Sequence, residues 1–294
     1  MKTKNFNFQK AKTRKLNDAV SDFLNEKKIK LSHTEIQKLI NEKNIYQKGE
    51  QVFLHLPLKL IQTSNLQTEI IQKYDLGPSD ILFEDETIIL ISKPSGQPSQ
   101  ATLDPNRDHI YASVLRYLND KKPDSYAALL HRLDVETSGV MLFCKKKSFN
   151  KNLQTMFEER KIQKTYVAVA RKKEGIIPTE WQVNNFLKKM SGKLLKMQTV
   201  KSGGDKAITD FKILQQNSDY LLIQATPLTG RTHQIRVHLS ESKLPILNDA
   251  LYGEAGEGRL MLHAWKLNFT HPKTGEAMEV EAPIPTVFKT LMGP

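Results

Sequence analysis

The residues best suited to chemistry lie in HRLDVETSGVMLFCK, from His131 to Lys145. Between the apolar pair Leu129-Leu130 and the run Val140 to Phe143 this stretch places two basic residues, two acids, two hydroxyls and a glycine. Such groups are costly to hold beside a core unless they are paired. A loop aspartate such as Asp134 ordinarily forms an Asx turn, and Thr137-Ser138-Gly139 is ordinary turn material. A second segment, TGRTHQIRVHLS, opens an amphipathic helix and carries Arg231, His233, Arg236 and His238. If the fold brings Arg236 to Asp134, the carboxylate gains a bidentate cationic partner that keeps it ionised, which is how a nucleophile is held ready. His233 and His238 stand five residues apart, off one helix face, and no cysteine or acid cluster joins them, so no metal centre is expected.

The elements that must position these groups follow from periodicity. Asp134 falls in a short polar loop between two strands. Upstream, DILFED and ETIILISKPSG read as strands, the second a buried run, Ile88 to Ile91, that ends at Lys93-Pro94. Helices are expected over 108–119 and 148–159, and strands over 164–170, 195–200, 207–214 and 220–225. LMLHAWKLNFTHPKTGEAMEVEAP reads as two strands joined around Pro272-Lys273-Thr274-Gly275. Strands dominate without regular βα alternation, so the expected class is α+β with a mixed or antiparallel sheet. Residues 15–45 read as two helices: Leu16, Val20, Phe23 and Leu24 form one stripe, Ile36, Leu39 and Ile40 another, with Ser32 and Glu35 as a capping box between them.

Composition narrows the class. No apolar run approaches the roughly 20 residues of a membrane span, and the basic start MKTKNFNFQKAKTRK lacks the apolar segment of a secretory signal, so a cytoplasmic protein without membrane contact is expected. The single cysteine, Cys144, sits among Met141, Leu142 and Phe143 and reads as a small buried side chain. Lys and Arg number 44 against 32 Asp and Glu, a net +12, which points to a polyanionic partner. The basic residues recur in clusters, KAKTRK, NEKKIK, CKKKSFNK, ERKIQK and ARKK, as on the surface of a folded nucleic-acid-binding protein.

HRLDVETSG resembles the HRLD-x-x-TSG signature of the RluA-type RNA pseudouridine synthases. Three further segments agree in order: ILFEDETIILISKPSGQPSQ with the family's opening strand and KP-x-G turn, ERKIQKTYVAVA with its tyrosine segment, and GRTHQIRVHL with its arginine segment. RLMLHAWKLNFTHP also fits, and the likeness covers about residues 80–290. The resemblance implies isomerisation of uridine to pseudouridine in structured RNA, ribosomal in preference to transfer RNA, without metal or organic cofactor, by a chain expected to be monomeric. It implies that Asp134 is the nucleophile, on either the sugar anomeric carbon or the base, with Arg236 as its partner and Tyr166 stacked on the base. Arg132 would enter the RNA stack when the target uridine flips out. His131, Arg231, His233, Leu262 and His263 complete the expected substrate-binding set.

Before this domain, KLNDAVSDFLNEKKIKLSHTEIQKLINEKNI resembles the helical half of a small RNA-binding module shared with a ribosomal protein. Where that module continues with a Val-Asn-Gly turn and a short basic hairpin, this chain has YQKGEQVFLHLP. The expected layout is therefore a small, mainly helical region over 1–60, a linker over 61–79 and the catalytic domain over 80–294.

Overall fold

The computed structural model describes residues 3–11, 14–27, 29, 31–57, 73–102, 104, 106–172, 177–192 and 196–293. The chain divides into two compact units, Met1–Gln72 and Lys73–Pro294. Most of the expected linker lies outside the described residues, and its described end, 73–79, belongs to the second unit.

In the first unit, strand β1 (Thr3–Gln9) precedes helices α1 (Leu16–Glu26) and α2 (His33–Asn41), which lead into the hairpin β2 (Ile45–Lys48) and β3 (Gln51–Pro57). The three strands form an antiparallel sheet in the order β1-β3-β2. Ser32 caps α2 in a capping box with Glu35, as its spacing requires. Val20, Leu24, Ile36 and Leu39 of the helices pack on Ile45, Val52, Leu54 and Leu56 of the sheet. The expectation of a mainly helical region is thus corrected. A hairpin does follow α2, although the Val-Asn-Gly signature is missing, because Gly49 supplies the positive φ, +59°, at its two-residue turn.

The second unit contains β4 (Ile81–Glu84), β5 (Ile88–Lys93), α3 (Ile110–Lys121), β6 (Ala128–Leu129), β7 (Ser138–Cys144), α4 (Lys147–Glu158) and β8 (Gln163–Arg171). It continues with β9 (Glu180–Lys189), β10 (Met197–Val200), β11 (Asp205–Gln216), β12 (Tyr220–Pro227), α5 (Gln234–Glu241), β13 (Leu262–Thr270), β14 (Ala277–Glu281) and α6 (Thr286–Met292). Among the described residues the sheet has eleven strands, with a main path β10-β9-β11-β12-β8-β13-β7-β5-β4, while β14 pairs with β13 and β6 with β7. This is the mixed sheet of an α+β fold. The strand expected over 195–200 is β10, and its first residue, 195, lies outside the described residues. β9 and α6 were not expected. In β9, Asn184-Asn185 interrupts the apolar alternation of Trp181, Val183 and Leu187, which hides a strand whose burial still alternates. Cys144 is fully buried on β7, as expected. Among the described residues no helix is long and apolar enough to cross a membrane.

Among the described residues the sheet has two large hydrophobic clusters and a small third one of Leu187, Ala207 and Val237. One large cluster is built on β5, β7, α3 and α4, the other on β8, β12, α5 and α6. They meet where β13 pairs parallel with β7, His263 against Ser138 and Ala264 against Gly139, while the other described pairings in this sheet are antiparallel. The approach is so close that a Cβ built on Gly139, whose φ is +119°, would lie 2.1 Å from the Ala264 carbonyl oxygen. Gly139→Ala should therefore destabilise the chain by about 3 kcal/mol, combining strain at positive φ with overpacking. A chemical-denaturation midpoint equal to wild type would show that the two strands can part freely. The loop that carries Asp134 enters β7 immediately before this join.

Candidate active site

The loop between β6 and β7 is fixed by its own turn and by the segment after β5. Thr137 N–H donates to the Asp134 carbonyl at 3.1 Å, and Gly96 N–H donates to Val135 at 2.9 Å. The Ser95 hydroxyl donates to the Glu136 carbonyl at 2.6 Å and the Ser99 hydroxyl to the Leu133 carbonyl at 2.7 Å. Lys93, with no exposed surface, donates from Nζ to the carbonyls of Pro94, Gln97 and Val135 at 2.9, 2.7 and 2.9 Å. Those three acceptors match the three N–H bonds of an ammonium group, and the charge of Asp134 favours that form. Burial, then the neighbouring Arg259, act against it and pull the Lys93 pKa down to about 7. The KP-x-G segment thus clamps the Asp134 loop from below.

Asp134 keeps 28% of its side chain exposed, and its Oδ2 lies 3.6 Å from Arg236 Nη1 and 3.9 Å from His233 Nε2. The expected partner is present, but it is not bidentate on Asp134. The Arg236 fork closes instead on the wholly buried Asp249, Nε to Oδ2 at 2.8 Å and Nη2 to Oδ1 at 2.7 Å. Burial alone would raise the Asp249 pKa; Arg236 and the N–H groups of Leu251 and Tyr252 hold it below the usual carboxylate value. One arm of the guanidinium remains for Asp134. The Tyr252 ring lies 5.3 Å from the guanidinium carbon and receives its face.

His233 stands at the N-terminus of α5 with φ +55°, a left-handed conformation that turns its ring toward the loop. The Tyr252 hydroxyl accepts from Met197 N–H at 2.7 Å and lies 2.8 Å from His233 Nδ1. Donation from that hydroxyl to Nδ1 leaves the His233 proton on Nε2, facing Asp134. Burial, opposed by the charge of Asp134, lowers the His233 pKa and favours this neutral form.

Tyr166 lies on β8, opposite Ala225 of β12 and Ala264 of β13, and packs against both large hydrophobic clusters. Burial, reinforced by the charge of Asp134, raises its pKa, so the phenol stays protonated. Asp134, Tyr166 and Arg236 line one cavity of about 1700 Å³ together with His131, Arg132, Arg231, His233 and Leu262. Arg132 is exposed. Arg231 donates from Nε to the Lys206 carbonyl at 3.1 Å.

Three histidines serve packing. His131 Nε2 accepts the Leu142 N–H at 2.9 Å and its ring stacks on Phe157, so it forms a wall of the cavity with that nitrogen already engaged. His263, expected in the same pocket, lies behind it, between the Ser138 hydroxyl at 2.7 Å and the Ala282 carbonyl at 3.2 Å. Its position on β13 beside Leu262 turns it to the opposite face of the strand, because neighbouring strand residues alternate. His238 is also inside, between Thr209 and Asn185.

Burial pulls His131 down to about 3 and His238 and His263 down to about 4. Unfolding restores the ordinary value of about 6.5, so between pH 6.5 and 4 the unfolded chain takes up protons that the folded chain refuses. The stability these three rings contribute is complete above pH 6.5 and falls as pH drops through that window. Urea midpoints should decline steadily from pH 7 to 4.5, and a flat profile would mean that the rings are charged in the fold.

Sequence reasoning missed Asp249, Tyr252, Lys93 and Lys164. Lys164 lines the cavity and loses pKa by burial. The signal for Asp249 was an acid within ILNDALYG, a polar interruption thirteen residues after an arginine with five donors to satisfy.

Residues 87–241 match the family described as RNA pseudouridylate synthase. Over 220 residues the chain is 34% identical to the ribosomal large subunit pseudouridine synthase D of Neisseria meningitidis serogroup A, covering 70% of this chain and 58% of that relative, so only part of the relative's length is represented. It is 34% identical to the ribosomal large subunit pseudouridine synthase C of Buchnera aphidicola subsp. Baizongia pistaciae, covering 87% of this chain and 83% of that one. Among solved structures, human RNA Pseudouridylate Synthase Domain Containing 4 superposes with a TM-score of 0.59 at 25% identity, over 71% of this chain and 89% of its own. The ordered motifs, the mixed sheet that brings them together and these likenesses agree: the chain belongs to the RNA pseudouridylate synthase family.

Proposed function

We propose that this chain isomerises uridine in RNA to pseudouridine, with Asp134 as the nucleophile. The observation that carries the reading is the convergence of Asp134, Tyr166 and Arg236, from a loop, a strand and a helix far apart in sequence, on one cavity. The reaction breaks the bond between uracil N1 and the ribose anomeric carbon, turns the base, and joins that carbon to C5. The C5 proton is lost and N1 gains one, so the change is redox-neutral and internal to one nucleotide. No second reactant or cofactor is required.

A covalent bond from Asp134, to the anomeric carbon or to the base, keeps one reacting partner in place while the base rotates. Arg236 and the Nε2–H of neutral His233 face that carboxylate and aim it. The cavity cannot receive a uridine stacked within a helix, so the nucleotide is flipped out, at a cost of a few kcal/mol. Exposed Arg132, next but one to Asp134, is the planar group positioned to fill the gap left behind. Both curated relatives described above carry ribosomal large-subunit names, which supports ribosomal RNA over transfer RNA as the substrate. The enzyme then acts where ribosomes are made, as a monomer in the cytoplasm. A map of pseudouridine in total RNA from cells with and without this gene tests the reading: the uridine that stays unmodified in its absence names the substrate, and identical maps overturn it.

Tyr166 stacks on the base, and its protonated phenol donates into the site. A proton taken from C5 by this oxygen requires the phenol to release its own at the same moment. Tyr166→Phe should keep RNA affinity and lower kcat by about a hundredfold or more. Full turnover by the variant would reduce Tyr166 to packing.

A further inference from the structure

We propose that the outer face of the three-stranded sheet in the N-terminal unit is a stacking platform for single-stranded RNA, built on Tyr46, Phe53 and His55. The cross-strand register decides which residues share that face. Asn5 stands opposite His55, Asn7 opposite Phe53 and Gln9 opposite Gln51, while Tyr46 stands opposite Phe53 from the other side. The alternate residues, Ile45, Val52, Leu54 and Leu56, turn inward and are buried. A sheet with one packed and one open face should show polar side chains outside. Here the open face carries three aromatic rings.

The rings form a run. Tyr46 and Phe53 have centroids 5.3 Å apart at 15° between planes, and Tyr46 and His55 are 5.5 Å apart at 24°. His55 is held by Asn5 Oδ1 at 2.8 Å and by the Tyr46 hydroxyl at 3.2 Å, so the set is ordered before any ligand arrives. A further planar ring can join such a run by offset stacking. The positions around it are amides, Asn5, Asn7, Gln9 and Gln51, with Lys48, and none of these face positions is an acid. Among the described residues Asp18, Asp22 and Glu26 lie on α1 and Glu35 and Glu42 at α2, while Glu50 of the hairpin turn reaches the turn end of the face, where its carboxylate accepts from Gln9 Nε2 at 3.2 Å. Residues 1–72 hold thirteen Lys and Arg against seven Asp and Glu, a net +6, half the charge of the whole chain on a quarter of its length. Aromatic rings for bases, amides for base edges and a positive field for phosphates are the combination by which sheet faces bind unpaired nucleic acid. The inference rests on RNA being the substrate and adds where a strand outside the reacting nucleotide is held.

Aromatic cross-strand pairs also stabilise sheets, so the test must separate binding from folding. The full-length chain is titrated with a twelve-nucleotide oligouridylate, and a 4-thiouridine version is photo-crosslinked to it. The double variant Tyr46→Leu, Phe53→Leu keeps apolar bulk in the strands. A second, Asn7→Glu with Gln51→Glu, changes only exposed positions and places acids on the face. The acidic variant should melt as wild type, both variants should lose affinity for the oligonucleotide by about tenfold or more at a temperature where they are folded, and the wild-type crosslink should map to residues 45–57. Unchanged affinity in the acidic variant, crosslinks confined to residues after 73, or a shift in oligomeric state without a change in RNA binding would each overturn the platform. If these occur while wild type still makes pseudouridine, the isomerase reading stands alone; if wild type makes none, it is that reading which fails.

Discussion

Asp134→Asn should abolish pseudouridine formation altogether while leaving the chain folded and bound to RNA. The substitution keeps size and hydrogen-bonding shape but removes the charge and the nucleophile together. Asp134 is partly open to the cavity, and the Arg236 fork is already closed on Asp249, so losing the 3.6 Å contact does not strand a buried cation. The stability cost should stay near 1 kcal/mol, as for a half-exposed ion pair. Its loop is held by backbone groups and by Lys93, which the amide does not touch. Incubation of wild type and variant with unmodified ribosomal RNA, followed by counting of new pseudouridine, checks this. Equal product from the variant would remove Asp134 as nucleophile. Silence from both proteins with intact binding would favour a chain that only binds RNA with the same positive surface.

What was legible in the sequence, and what was not, divides along physical lines. Asp134 and Arg236 could be connected because a carboxylate beside a core calls for a cation, and α5 offered one. The geometry of their contact could not be read. Three acids, Asp134, Glu136 and Asp249, lie within 4 Å of one guanidinium, and the winner is the one with no exposed surface, whose carboxylate is also held by two backbone N–H groups. That preference is set by burial, a property of the assembled sheet. His263 was misplaced for a related reason: adjacency to Leu262 says nothing about which face of β13 a side chain takes until the strand's partners are known. Helices α3 and α4 lie within two residues of their expected bounds, since a 3.6-residue stripe is a local signal. The N-terminal hairpin carries no Val-Asn-Gly turn, and its local signals are only Gly49 and the short alternation of Val52, Leu54 and Leu56, a pattern that acquires a buried face only once the helices pack on it.

Asp249→Ala should cost about 3–5 kcal/mol of stability, the usual result of stranding one partner of a buried ion pair. Arg236 is 3% exposed and would be left with Asp134 at 3.6 Å and Glu136 at 3.9 Å as its only anions among the described residues. Asp249→Asn is the more informative variant. Its amide can still accept from one guanidinium nitrogen, but its NH2 group opposes the other, so the fork must turn. The nearest new acceptor is Asp134, and an arginine drawn fully onto that carboxylate would hold it in place of leaving it free to attack. With a displacement of about 1 Å at the nucleophile, kcat should fall by about a hundredfold. RNA affinity should be preserved, because Asp249 has no surface open to substrate. A merely structural role predicts lower stability with normal turnover of the molecules that remain folded. Single-turnover rates measured well below the melting temperature, normalised to folded protein, separate the two: a wild-type rate would show that Asp249 holds the helix and does not aim the arginine.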